Sequence, residues 1–222
     1  MESTNKPKEA QFQMEIALTN ITKSIKGITV VNNVSMHIHS GNITGFQGIN
    51  GSGKTMLMRL IAGLIKPSCG EIQINCKVLG NKFSFPQSIG LLIENPAFLD
   101  QYSAFDNLKF LADIKQKISD DDIIDILNDV SLDPFSRKKY KTFSLGMKQR
   151  LGIAAAFMES PDIILLDEPT NALDSNGILM VKNLLIKART RDAIIILTCH
   201  DFNILEELSD VIYVMEEGKV VA

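Results

Sequence analysis

The feature that most constrains this chain is the stretch Gly-Ile-Asn-Gly-Ser-Gly-Lys-Thr at residues 48–55. It matches the phosphate-binding loop pattern G-x-x-x-x-G-K-S/T at every fixed position. Residues 42–47 before it predict a short strand, and residues 56–62 after it predict an amphipathic helix whose N-terminal dipole favours an anion. A glycine-rich turn with a chance lysine would not require that strand and helix. The loop therefore predicts a site for a nucleoside triphosphate.

Each residue type in the loop has a physical reason to be there. Glycines let the backbone close around an anion, so that successive N–H groups converge on phosphate oxygens. Lys54 would bring a positive charge to the outer phosphates, and the Thr55 hydroxyl would bind Mg²⁺. A nucleoside triphosphate with Mg²⁺ is therefore the predicted ligand, and the family resemblance given below makes the nucleotide ATP. The predicted nucleotide-binding residues here are Gly48, Asn50, Gly51, Ser52, Gly53, Lys54, Thr55 and Met56.

Composition excludes several other classes of protein. A formal net charge of −3 gives no basic footprint, so nucleic acid is not an expected partner. The N-terminus lacks the apolar segment of a secretory signal, and no apolar run approaches the roughly 18 residues that span a bilayer. We therefore expect a cytosolic chain whose membrane role depends on a partner. Cys69, Cys76 and Cys199 form no C-x-x-C pair and are expected to be small buried residues.

Hydrophobic periodicity divides the chain into regions. Residues 1–12 are polar and predict a loose arm, and alternating residues at 14–21 and 30–38 predict antiparallel strands. Residues 95–143 have helical patterning, and an acidic trio after Ser119 indicates a capped helix start. From residue 163 onward, apolar strands alternate with helices, which predicts a parallel sheet covered by helices.

These regions predict a single nucleotide-binding domain over residues 1–222. Its fold class is α/β, with a P-loop NTPase core of mostly parallel sheet and helices on both faces. An antiparallel β subdomain and a helical subdomain at 95–143 complete the predicted architecture.

A second predicted part of the site is a pair of adjacent carboxylates, Asp167 and Glu168, at the end of an apolar strand. The carboxyl ends of parallel strands open onto the ligand crevice. Asp167 would hold the water shell of Mg²⁺, and Glu168 would orient or deprotonate an attacking water. Two acids after a strand could instead cap a helix. A phosphate-binding loop roughly 110 residues upstream favours the catalytic interpretation, a Walker B site.

Three further segments follow in a set order. Phe-Ser-Leu-Gly-Met-Lys-Gln-Arg-Leu at 143–151 opens a helix before the acidic strand, Asn-Ala-Leu-Asp at 171–174 follows that strand, and Thr-Cys-His at 198–200 ends the next strand. With the loop and the two acids, this order resembles the ATP-binding cassette family, the motor subunits of ABC transporters. The resemblance extends from about residue 16 to residue 220.

The resemblance implies roles for residues outside the loop. Ser144 and Gly146 occupy the Ser and second Gly of the family's L-S-G-G-Q signature, while Phe143, Leu145 and Met147 replace its other members. In the family this helix start faces a nucleotide bound by the opposite subunit, so the resemblance implies a homodimer that sandwiches two nucleotides. A helix N-terminus suits that contact, because its free N–H groups face the phosphate.

The same resemblance places Asp174 at the dimer seam and makes His200 the residue that contacts the γ-phosphate. The alternative for Ser144, Asp174 and His200 is an ordinary helix cap. The resemblance also identifies Glu168 as the catalytic base.

Two departures from the family pattern narrow the interpretation. Glu94 stands where the family usually has a Gln that meets Mg²⁺; a carboxylate still offers a hard oxygen to the metal but, when ionised, donates no hydrogen bond. Ile25 stands where an aromatic residue usually stacks on adenine, and Phe46 is a candidate replacement. The segment Ile-Glu-Asn-Pro-Ala-Phe at 93–98 resembles the bacitracin-resistance and lantibiotic-immunity exporters, which pair with an ABC-2-type permease.

The predicted function is therefore ATP hydrolysis that powers a separate membrane permease and exports a peptide antibiotic or similar compound. The helical region at 95–143 would carry the groove that faces the permease, including part of residues 98–105, and the permease would hold the chain at the inner face of the cell membrane. One alternative is a soluble ABC ATPase acting on a ribosome or DNA, which the single loop and the absence of a coiled-coil or C-x-x-C insertion disfavour. The other is a regulatory module without turnover; intact Glu168 disfavours it, while the altered signature and Ile25 leave it open.

Overall fold

The computed structural model describes residues 13–80, 85–94 and 96–221. The predicted arm at residues 1–12 lies outside this part of the chain. The strands, in chain order, are β1 (Glu15–Ile25), β2 (Ile28–His39), β3 (Ile43–Gln47), β4 (Cys69–Ile74), β5 (Lys77–Val78), β6 (Ile89–Leu92), β7 (Ile163–Leu166), β8 (Ile194–Thr198), β9 (Val211–Glu216) and β10 (Lys219–Val220). The helices are α1 (Lys54–Ile61), α2 (Ala104–Lys115), α3 (Asp120–Asp129), α4 (Leu145–Phe157), α5 (Ser175–Thr190) and α6 (Phe202–Leu208), with a short 3₁₀ turn at Tyr140–Thr142.

The larger sheet has the strand order β10-β9-β3-β8-β7-β6 and is parallel except for β10. Every residue of β7 and β8 is buried, as expected for parallel strands covered on both faces. Because β3, β6, β7 and β8 are parallel, their carboxyl ends meet at one edge of the sheet. The loops that carry Lys54, Glu94, Asp167 and His200 leave from that edge, whereas Ser144 and Gly146 follow the 3₁₀ turn at Tyr140–Thr142.

Alternation along these strands divides the core into two layers. In β7, Ile163 and Leu165 pack toward one face of the sheet, as do their neighbours in β8. Ile164 and Leu166 pack toward the other face. Residues two apart on a strand point to the same side, so a continuous apolar run serves both layers. One layer contacts α1 and the antiparallel sheet β2-β1-β4-β5, and the other contacts α4, α5 and α6. The predicted α/β fold is confirmed.

Helices α2 and α3 form within the segment predicted to be helical, and each begins with a reciprocal cap. Ser103 accepts a hydrogen bond from the Asp106 N–H, whose carboxylate accepts one from the Ser103 N–H. Ser119 and Asp122 repeat this arrangement at the start of α3, which confirms the interpretation of the acidic trio. Among the described residues, none of the helices combines the length and apolar character needed to cross a bilayer.

The expectation that the three cysteines are buried is wrong for two of them. Cys199 is buried behind the candidate site, but Cys69 and Cys76 are exposed. Cys69 begins β4, and Cys76 lies in the tight turn between β4 and β5 with a φ of 62°. Both positions belong to the periphery of the antiparallel sheet, which composition alone does not reveal.

Candidate active site

The phosphate-binding loop connects β3 to α1, as predicted, and its glycines are required by geometry. A Cβ at Gly48 would lie 2.4 Å from the Met215 carbonyl oxygen, and one at Gly53 would lie 2.6 Å from the Val30 carbonyl oxygen. Both glycines also have positive φ angles, which side-chain-bearing residues rarely adopt. The loop backbone therefore passes close to β2 and β9 and keeps a shape that only glycine allows.

Lys54 begins α1 and is folded inside the loop. Its ammonium donates hydrogen bonds to the carbonyl oxygens of Gly48 (2.5 Å) and Ile49 (3.1 Å). Burial lowers the pKa of Lys54, while the nearby charges of Glu168 and Asp167 act in the opposite direction. The loop thus holds a cation at its centre, where phosphate oxygens would compete for the same donors.

The carboxylate of Asp167 joins the loop to the ends of two strands. Its two oxygens accept hydrogen bonds from the Thr55 hydroxyl at 2.6 Å and from the buried Thr198 hydroxyl at 2.7 Å. Hydroxyl and carboxylate oxygens are the hard ligands that Mg²⁺ prefers, so the donors here fit that metal. The buried hydroxyl of Ser52 has no hydrogen-bond partner among the described residues, which is also consistent with a ligand at this edge.

Glu168 presents one fixed oxygen and one free oxygen. Its Oε2 accepts a hydrogen bond from the backbone N–H of His200 at 2.9 Å. Its buried Oε1 has no hydrogen-bond partner within the described ranges and lies 3.4 Å from Nε2 of the His200 ring. Burial raises the pKa of Glu168; His200 and Lys54 oppose that rise, and the charge of Asp167 adds to it. A carboxyl group with a raised pKa and a free oxygen suits a general base.

The structure brings Glu94 to the same edge but pairs its carboxylate with a cation. Arg59 of α1 donates to Glu94 Oε1 at 2.5 Å. Glu94 also lines a cavity of about 380 Å³ together with Asp167, Glu168 and two further residues, Gln149 and Asn171. The structure therefore brings Glu94, Asp167 and Glu168 together at one cavity, and the role of each in binding or catalysis stays a prediction.

The helix starts at Ser144 and Asp174 are exposed to solvent. Ser144 caps α4 by accepting a hydrogen bond from the Met147 N–H, and Asp174 caps α5 by accepting one from the Gly177 N–H. The cap interpretation is thus correct as local structure for both residues. It is wrong for His200, because Asp201 caps α6 instead.

Sequence reasoning missed two residues that connect α4, the helix of the signature segment, to the loop between β7 and α5. Gln149 donates to the carbonyl oxygens of Glu168 and Pro169, both at 3.0 Å. Arg150 donates to the Val130 carbonyl oxygen at 2.9 Å and contacts Asp174 at 3.3 Å. A signal was present, since Gln149 is a polar residue beside the apolar run of α4.

Phe46 does not replace the missing aromatic at Ile25. Its side chain is only 1% exposed and packs against Tyr213, with ring centroids 5.8 Å apart. Ile25 itself is partly exposed at the end of β1, opposite Ile28. Phe46 therefore packs in the hydrophobic core and does not stack on a nucleobase.

The loop, the buried Asp167 and the poised Glu168 at the carboxyl edge of a parallel sheet define a P-loop nucleoside triphosphatase. A model of the ABC transporter family matches residues 31–171, which is more than half of the chain. The chain belongs to this family and is the ATPase subunit of an ABC transporter.

Curated relatives cover almost the whole chain. An uncharacterized ABC transporter ATP-binding protein of Bacillus subtilis, YybJ, is 48% identical over 92% of this chain and 94% of its own length. The bacitracin transport ATP-binding protein BcrA of Enterococcus faecalis is 36% identical over 93% of this chain and 68% of its own. The lantibiotic transport ATP-binding protein SrtF of Streptococcus pyogenes is 34% identical over 93% and 89%.

Solved structures show the same fold. A dimeric ATP-binding cassette in a post-hydrolysis state, bound to ADP and Pi, has a TM-score of 0.84 and 26% identity. The match covers 93% of this chain and 97% of that one. A dimeric bacterial ABC transporter cassette gives the same values.

Proposed function

We propose that this subunit powers a separate integral membrane permease of the ABC-2 type and drives export of a peptide antibiotic or similar compound. The observation that carries the proposal is the similarity, over 93% of the chain, to proteins named for bacitracin and lantibiotic transport. The altered segment around Glu94 supports the same branch. The permease would hold the chain at the inner face of the membrane.

The proposed hydrolysis follows from the positions of three side chains. Lys54 would hold the outer phosphates, because its ammonium already lies at the centre of the loop. Glu168 would take a proton from the attacking water through its free oxygen, Oε1, while the His200 N–H keeps the other oxygen in place. The His200 imidazole lies 3.4 Å from that free oxygen and would contact the γ-phosphate.

The proposed metal site uses oxygens from three elements. Thr55 and Asp167 would hold Mg²⁺, and Glu94 would supply a further carboxylate oxygen. Bound Mg²⁺ would neutralise charge on the phosphate oxygens.

We further propose that two copies of the chain form the working unit. Ser144 and Asp174 are exposed and Gly146 is partly exposed, so a second chain could bring its own nucleotide against them. The dimeric cassettes that share this fold support the arrangement. In this proposal residues 1–222 are one nucleotide-binding domain, the segment 95–143 is its helical subdomain, and residues 98–105 face the permease.

Antibiotic susceptibility tests the transport proposal. The neighbouring reading frames would first be searched for a six-helix permease, and the chain would be expressed with it in a strain sensitive to bacitracin and lantibiotics. We expect the pair to raise the minimum inhibitory concentration several-fold and the permease to copurify with the chain. The Glu168→Gln variant should copurify equally but confer no resistance. Equal resistance with that variant, or failure to copurify, would overturn the proposal.

A further inference from the structure

Helix α1 contacts the acidic edge of the site through two residues one turn apart. Thr55 and Arg59 are four positions apart and therefore lie on the same face of the helix. Thr55 donates to the carboxylate of Asp167, and Arg59 donates to the carboxylate of Glu94. Helix α1, which follows directly on the phosphate-binding loop, thus holds two of the carboxylates around the proposed metal site.

The carboxylates converge because β6 and β7 are parallel neighbours. Leu92 pairs with Leu166, so both strands end at the same level and their next residues enter one cavity. Glu94, Asp167 and Glu168 line that cavity of about 380 Å³. Three like charges in one cavity repel each other, and each needs a cation or hydrogen-bond donor nearby.

The cations are divided between these carboxylates. The charge of Lys54 acts on Asp167 and Glu168, whereas the ion pair of Glu94 is with Arg59. The Glu94 side chain is 61% exposed and Arg59 is 30% exposed, so the pair is accessible and readily exchanged. A neutral amide at residue 94 would not form it, since the pair depends on a carboxylate facing a guanidinium that stays protonated.

We propose that Arg59 is a positioning residue that holds the Glu94 carboxylate against α1 and competes with a divalent cation for it. In the free chain Glu94 pairs with Arg59, and it exchanges this partner for the metal when a metal–nucleotide complex enters. The inference rests on the proposed metal site of Thr55, Asp167 and Glu94. Arg59 thereby sets how tightly the site holds its cation.

Manganese binding measures this competition directly. Free Mn²⁺ would be followed by electron paramagnetic resonance during titration into the chain saturated with a non-hydrolysable ATP analogue. Because a partly exposed ion pair is weak, we expect Arg59→Gln to tighten Mn²⁺ binding by about two- to fivefold. In a Glu94→Gln background the same substitution should have no effect, because the contested carboxylate is gone.

The matched control is Arg189→Gln, which removes an ion pair of similar exposure. Arg189 contacts Asp210 at 2.7 Å, near the amino ends of β3 and β9 and thus at the opposite edge of the sheet. It should leave Mn²⁺ affinity unchanged. Weaker or unchanged binding in Arg59→Gln, or equal tightening in the Glu94→Gln background, would overturn the competition. If the wild-type chain holds the analogue without retaining Mn²⁺, the proposed metal site is wrong and this inference falls with it.

Discussion

The part of the candidate site formed by the phosphate-binding loop and the acids after β7, called here the phosphate side, is buried. The part formed by the starts of α4 and α5, called here the signature side, is exposed. Lys54 and Asp167 are 7% and 8% exposed and are bonded to groups of the same chain. On the other side, the Asp174 side chain is 69% exposed and Leu145 is 66% exposed. The groups proposed to bind the triphosphate are therefore already held in place by bonds within one chain. The signature side keeps polar groups at the surface, where they cost no desolvation until a second surface covers them.

The largest expected effect is on the chemistry of the buried side. Glu168→Gln keeps the shape of the side chain and removes the base, so turnover should fall by about 10²–10⁴-fold. ATP affinity by calorimetry should stay close to wild type, and size-exclusion chromatography with ATP should show a dimer. The control Glu207→Gln, at an exposed ion pair with Lys182, should retain turnover. Wild-type phosphate release from the Glu168 variant would eliminate it as the base.

The next effect concerns binding on the same buried side. Lys54→Ala removes a charge-assisted contact to the phosphates worth about 1.5–3 kcal/mol, so ATP affinity should fall by about 10- to 150-fold. Calorimetry in the presence of Mg²⁺ measures the change. Lys182→Ala removes an exposed lysine of another ion pair and should leave affinity unaltered. Unchanged affinity in the Lys54 variant would contradict the loop assignment.

A smaller change should affect the exposed side alone. A Cβ at Gly146 would lie 2.9 Å from the Ala172 carbonyl oxygen, so Gly146→Ala forces the start of α4 to shift. Overpacking of this kind costs about 1–3 kcal/mol. In the Glu168→Gln background, we expect the ATP-dependent dimer to weaken by about tenfold, as measured by analytical ultracentrifugation, while the single chain binds ATP as before. Equal loss of ATP binding would show that the two sides are not independent.

The smallest expected effect concerns recognition of the adenine base of the nucleotide. Stacking on an aromatic ring contributes about 1–3 kcal/mol in nucleic-acid binders, and Ile25 lacks that ring. We expect Ile25→Tyr to raise ATP affinity several-fold and the wild-type chain to favour ATP over GTP by less than about tenfold, or 1.4 kcal/mol. Ile114→Tyr, at an exposed position of α2 outside the candidate site, is the control that should change neither value. A larger wild-type preference in competition binding would show that the base is recognised by other residues.

Much of the fold could be predicted because its signals are local. The apolar runs of β7 and β8 and the acids after Ser119 follow from strand burial and helix capping, which depend on near neighbours in the chain. The exposure of Cys69 could not be predicted in this way, because it depends on where the antiparallel sheet meets solvent. The bonds of Gln149 and the pairing of Arg59 were missed for the same reason: their partners are distant in sequence.

By itself, the sequence determined the phosphate-binding loop, the acidic pair and the α/β class, since motif spacing and hydrophobic period are written into consecutive residues. Only the tertiary structure decided which oxygen of Glu168 is free, how Lys54 is buried and that Glu94 pairs with Arg59. These features depend on the order of strands β3, β8, β7 and β6, which brings loops far apart in the chain to one edge. At that edge, the burial of a side chain and its electrostatic interactions depend on groups within a few ångströms, however far apart those groups are in the sequence.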